Sequence, residues 1–307
     1  MRSRLRGFAL ATCLILGASL PAAAEPAMWR VSDDDSHVWL FGSIHLFSRQ
    51  MNWRTQTFDA ALQDSEQVWF EMVFDAAAYA TIARLTILDG RLRDGQRLSE
   101  LLTEDQNERL DRAIAAAGLD PLVFDRLQPW MAEVTLSSGG IQGTTAGVDI
   151  LIDAEVSPDK KRGFETAEEQ LGFFSRVPLD QQIEGLMATI DALQAGGVER
   201  QLARMTDAWE SGDTAALDAL IRQEMGSADG VRYRRLLTDR NVRWVATIED
   251  VLAEDVDSMV IVGAGHLVGP DGLPALLGQR GFTVERVGQV PTNPGGPAIA
   301  SPTPRRR

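Results

Sequence analysis

The stretch Asp257–Leu273, DSMVIVGAGHLVGPDGL, constrains this chain more than any other. Met259-Val260-Ile261-Val262 is an unbroken apolar run ending in glycine, which predicts a strand buried on both faces. Gly263-Ala264-Gly265 removes side-chain bulk so that the backbone can turn sharply, and His266 is the first polar side chain after it. Such a strand delivers one imidazole to its own carboxyl end, where open α/β sheets bind ligands. Gly269 as cap, Pro270 at the first position and Asp271 in the first turn predict a helix over 270–279, closed by Gly281.

The same device occurs near the other end of the chain. Val38-Trp39-Leu40-Phe41 is a second apolar run, and Gly42-Ser43-Ile44-His45 repeats the pattern Gly-x-x-His. With 27 glycines in 307 residues and three histidines in all, two or more histidines preceded this way have a chance probability of about 2%. His45 and His266 are therefore treated as a pair, the alternative being two separately hydrogen-bonded structural histidines. The third, His37, opens the strand His37–Phe41, which forms a hairpin with Trp29-Arg30-Val31, and is expected at the surface or an edge.

Residues 1–24 read as an export signal. Arg2, Arg4 and Arg6 precede an apolar stretch from Phe8 to Leu20, and Ala22-Ala23-Ala24 before Glu25 suits a signal peptidase. That stretch is shorter than the ~20 residues of a membrane helix. Beyond it lie 27 basic and 44 acidic side chains, a net charge of −17. Such a surface repels nucleic acid and anionic lipid and suits a soluble exported protein, periplasmic or extracellular. The single cysteine, Cys13, lies within the signal, so the remainder has neither disulfide nor thiolate. The expected organisation is one α/β domain over 25–290, with a central mixed sheet flanked by helices and large helical insertions. A proline-rich tail, Pro291–Arg307, reads as disordered.

Between the histidines, four polar residues stand out. Glu71 interrupts the apolar strand Gln67–Met72, and a carboxylate there is costly to bury unless paired, protonated or bound to a cation; alternation could equally turn it to solvent. Glu165 ends a short strand, Lys160–Thr166, before a helix that Thr166 can cap. Arg240 lies in a partly buried helix, Leu236–Val245, where it could clamp a carboxylate or form an ordinary surface pair. Asp149 opens a helix after Gly147-Val148, and capping is its default role. Helices are expected at Thr55–Gln63, Ala76–Leu88, Thr103–Ala117 and after Pro129, and over most of Pro178–Ala253, with turns at Gly196-Gly197, Gly212-Asp213 and Gly226. The loop Ser137–Gly147 lacks the spacing and lysine of a phosphate-binding loop. Phe47, Met51 and Trp53, after His45, either wall a substrate or pack in the core.

GSIH at 42–45, GVD at 147–149, ET at 165–166, RN at 240–241 and VGAGHLVGPDGL at 262–273 together resemble the TraB/GumN (PrgY-like) family, related to the Tiki metalloproteases. The resemblance runs from about Trp29 to Val287. It implies that His45 and His266 hold a divalent metal, that Glu71 ligates it or activates water, and that Glu165 and Arg240 support the site.

Two imidazoles with one or two carboxylates at strand ends suit manganese or cobalt, with zinc as a further candidate. The chain has no H-E-x-x-H and no G-x-S-x-G elbow, which removes the common zincin and serine-hydrolase arrangements. The expected function is an exported metal-dependent hydrolase of peptide or protein substrates. Its alternatives are a non-catalytic peptide-binding or signal-sequestering protein, and a metal-free hydrolase with histidine as general base, as in the erythromycin-esterase relatives of the fold.

Overall fold

A computed structural model describes residues 25–47, 49, 51–139, 145–194, 198–225 and 230–288. The expected signal, the expected tail and the turns at Gly196-Gly197 and Gly226 lie outside the described residues. The apolar runs form the strands of one six-stranded sheet: β1 (Met28–Ser32), β2 (His37–Ser43), β3 (Gln67–Phe70), β4 (Lys161–Gly163), β5 (Ser258–Gly263) and β6 (Thr283–Val287), in the spatial order β4-β3-β5-β2-β1-β6. β4, β3, β5 and β2 run parallel, while β1 is antiparallel to both β2 and β6. The mixed α/β sheet and its amino-terminal hairpin are as expected. β5 lies between β2 and β3, so the carboxyl ends of four adjacent parallel strands open onto one crevice.

Both faces of the sheet are covered, which is why β5 reads as a continuous apolar run. Phe41, Val68, Phe70, Met259 and Ile261 pack on one side with Phe58, Trp53 and Trp209, and Leu40, Val260 and Val262 pack on the other with Trp244, Val245, Ile248 and Leu273. Phe47 and Trp53 are buried in the first of these cores, so packing is their role. A third core belongs to the helical insertion, where Leu110, Ile114, Trp130, Leu136, Leu186 and Ile190 meet across the helices Glu104–Ala117, Pro129–Gly139 and Leu179–Gln194. Among the described residues no helix is long and apolar enough to cross a membrane.

Several boundaries differ from expectation, each for a local reason. Glu71 and Glu165 lie just past their strands, although the ladder continues as Glu165 N–H donates to the Glu71 carbonyl at 2.9 Å. Ser137–Gly139 end a helix, and Thr145–Ala146 pair with Leu46–Phe47, so the expected loop is shorter at both ends. The last helix runs over Leu273–Gln279 rather than from 270. Gly269 takes a left-handed φ of 73°, and the Asp271 carbonyl accepts from Asn241 Nδ2 at 2.7 Å. The helix therefore starts after Gly272, with Pro274 in its first turn. Arg234–Thr238 forms a π turn between Val231–Tyr233 and the helix Asp239–Ala253, a feature common at functional sites.

Candidate functional site

The crevice gathers one polar side chain from the end of each parallel strand: His45 after β2, Glu71 after β3, Glu165 after β4 and His266 after β5. Arg240, from the helix Asp239–Ala253, joins three of them. Its Nε–H donates to Glu165 Oε1 at 2.8 Å and its Nη2–H to Glu165 Oε2 at 2.7 Å, a two-pronged clamp. Nη2 also donates to Glu71 Oε2 at 2.6 Å, and Nη1 to His266 Nε2 at 3.1 Å. The guanidinium lies over the rings of Phe173 and Trp244, 5.0 and 4.7 Å from their centres. Burial works against its charge, but Glu71 and Glu165 hold its pKa above the ordinary value.

His266 is fixed from both sides. Asn241 Nδ2 donates to the carbonyls of His266 and Asp271, so Asn241 Oδ1 accepts from His266 Nδ1 at 2.5 Å. The remaining nitrogen, Nε2, therefore carries a lone pair and takes the hydrogen bond from Arg240. Burial lowers the pKa of this ring, and Arg240 pushes in the same direction against Glu71. His266 is neutral at physiological pH.

Glu71 is held as an anion. Burial opposes its ionisation, but in the acid range where it titrates the protonated His266, with Arg240, His45 and the Gly263 N–H, brings its pKa below the usual carboxylate range. That N–H donates to Oε1 at 2.8 Å. A Cβ at position 263 would lie 3.0 Å from the same oxygen, so the glycine keeps the approach open.

His45 is placed differently. Its Nδ1 lies 2.7 Å from Asp149 Oδ2, and the ring is 67% exposed. The hydrogen bond to Asp149 raises its pKa, to about 9. The helix Val148–Glu155 is capped by the Gly147 backbone instead, so Asp149 orients a histidine rather than capping a helix. Gly147 N–H donates to the His45 carbonyl and Val148 N–H to the Ile44 carbonyl. A Cβ on Gly147 would come within 1.9 Å of that last oxygen, which explains why the chain turns here through a glycine.

A cavity of about 540 Å³ opens over His45, Glu71 and Asp149, with Ser43, Asp153 and Gln170 on its polar side and Met72, Phe74, Ile82, Val134 and Leu171 among its apolar walls. A more open hollow of about 580 Å³ beside Arg109 and Asp191 lies in the helical insertion, away from this cluster. His37 pairs with Asp257 at the far end of β2.

The three expected metal donors do not fit a bound cation as they stand. Both ring nitrogens of His266 are engaged by Arg240 and Asn241, His266 does not line the cavity, and the Arg240 guanidinium, bonded to Glu71, brings a positive charge to their centre. Among the described residues no group of three candidate ligands is arranged to hold a metal ion. Sequence reasoning missed the parts played by Asn241, which orients His266, and by Gln170, whose Nε2 donates to Glu165 Oε2 at 3.3 Å and Glu71 Oε2 at 3.5 Å. Asn241 carried a signal, its place beside Arg240. The model of the TraB/PrgY/gumN family matches residues 27–286 of the chain. No curated protein and no solved structure matches it.

Proposed function

The chain is a member of the TraB/PrgY/gumN family, and on that premise we propose that it is a hydrolase of peptide bonds working in the cavity over His45 and Glu71. The observation that carries this reading is a pair of titratable groups lining one cavity with pKa values driven apart, Glu71 down and His45 up. Such a pair defines an acid and a base. At neutral pH Glu71 is a carboxylate able to orient and deprotonate a water, and His45 is an imidazolium able to protonate the departing amine. Asp149 holds His45 in place, while Arg240, Glu165 and His266 fix Glu71.

This assignment reverses the role expected of histidine in a metal-free hydrolase, from base to acid, and runs on the protein's own groups. Metal-assisted hydrolysis with manganese, cobalt or zinc is the second reading, favoured by the shared exposure of His45 and Glu71 to the cavity. It requires Arg240 to leave Glu71. On the strength of residues 1–24 we place the activity outside the cytoplasm, in a periplasm or the medium.

The test is turnover of a quenched-fluorescent peptide library. His45→Ala and Glu71→Gln should each lower kcat about 100-fold or more. A library left intact by the wild-type protein would sink the hydrolase reading and leave a peptide-binding protein, and one cut by both variants at the wild-type rate would remove His45 and Glu71 from the chemistry.

A further inference from the structure

Ser43 is the last residue of β2, two before His45. It is 3% exposed, and its Oγ has no hydrogen-bond partner, yet it lines the cavity with His45 and Glu71. A buried hydroxyl without a partner is uncommon enough to need a cause. Opposite it in the sheet stands Gly263, which presents no side chain to occupy the hydroxyl. The preceding carbonyl, of Gly42, is held by Trp209 Nε1–H at 2.7 Å, so the strand end is fixed.

A nucleophilic serine needs a base in hydrogen-bond contact. Ser43 Oγ touches none, and His45 Nδ1 is committed to Asp149. A hydrogen-bond donor needs only its own proton and no competing acceptor, and Ser43 Oγ has no hydrogen-bond partner among the described residues. Resting on the hydrolase reading above, we infer that Ser43 Oγ–H donates to the oxygen of the scissile carbonyl and stabilises the oxyanion that forms there. Water adds to the carbonyl carbon, its proton passes to Glu71, and the C=O electron pair moves onto the oxygen facing Ser43. Collapse restores the carbonyl, breaks the C–N bond and places the His45 proton on the leaving amine.

The experiment compares the full chain with Ser43→Ala and Ser43→Thr in turnover and in binding. Binding is read by fluorescence anisotropy with a labelled phosphinic peptide, whose tetrahedral anion mimics the intermediate, and with the parent amide peptide. The expected result is a loss in kcat of about 100-fold in Ser43→Ala at unchanged KM, as for other oxyanion donors, with Ser43→Thr near wild type. Ser43→Ala should weaken the phosphinic peptide at least tenfold and leave the amide peptide unchanged. Equal weakening of both peptides, or of neither, overturns the inference even where turnover by the wild type upholds the hydrolase reading. Selective loss of the phosphinic peptide without wild-type turnover upholds the Ser43 contact and overturns the hydrolase reading. A wild type that binds neither peptide overturns both.

Discussion

Arg240 and Glu165 meet through two parallel hydrogen bonds of 2.8 and 2.7 Å in a buried setting, and the same guanidinium reaches Glu71 at 2.6 Å. Two carboxylates thus share one buried cation, with the more exposed Arg243 Nη2 as a longer second contact to Glu165 at 3.5 Å. Removing one partner of such a pair leaves an uncompensated buried charge, which costs about 3–5 kcal/mol. Arg240→Met should lower the unfolding free energy by that amount in urea titrations. Arg240→Lys should recover little of it, because a point charge cannot reproduce the two-pronged contact. A loss below about 1 kcal/mol in Arg240→Met would contradict the assignment.

Acid should destabilise the fold through two groups of this cluster. Glu71 has a folded pKa below its ordinary 4.5. Its contribution is present above the unfolded value and lost as pH falls through the lower folded one. His266 is depressed below 6.5, so the unfolded chain takes up a proton first, and stability declines as pH drops below that value. Urea midpoints should fall between pH 6.5 and 4 more steeply in the wild type than in His266→Gln. Equal slopes would mean that His266 titrates normally.

The alkaline limb belongs to His45. Asp149 raises its pKa above 6.5, to about 9, and the ring's exposure lets solvent screen part of that attraction. A folded pKa above the unfolded one stabilises the fold fully below 6.5, and that contribution disappears as pH rises through the folded value. Activity that needs the imidazolium should follow the same curve, declining between pH 6.5 and about 9. Asp149→Asn should move both the decline and the ring's proton titration by nuclear magnetic resonance towards 6.5. An unmoved titration would remove Asp149 as the cause.

Gly147 fixes the backbone that carries His45. A Cβ there would overlap the Ile44 carbonyl oxygen, and relieving an overlap of this kind costs about 1–3 kcal/mol. Gly147→Ala should show that loss in thermal or urea unfolding, together with a drop in kcat as His45 shifts. Wild-type behaviour in both would show that the turn tolerates a side chain.

The centre of the sheet was legible because β2 and β5 are apolar runs ending at glycine, so these strands and the histidines beyond them could be placed from residues alone. Glu71, Glu165 and Arg240 were singled out by the cost of burying charge and by family resemblance. Partners remote in sequence were not legible. Asp149 looks like a helix cap because its histidine is 104 residues away, and the start at Leu273 depends on Asn241 reaching a carbonyl from another helix. The π turn at Arg234–Thr238 leaves no mark in the apolar pattern, yet it directly precedes Arg240 and Asn241. The paired-histidine reading put both rings on one ion, whereas tertiary packing gives His266 to Arg240 and Asn241 and leaves His45 open to the cavity.

Whether hydrolysis depends on an added ion tests the central claim most directly. The full chain, dialysed against a chelator and checked by elemental analysis, would be assayed on the peptide library before and after addition of manganese, cobalt or zinc. Turnover that persists without metal, and is lost in His45→Ala and Glu71→Gln, is the predicted result. Turnover absent after chelation and restored by about one equivalent of ion per chain would contradict it, returning His45 and Glu71 to the role of ligands.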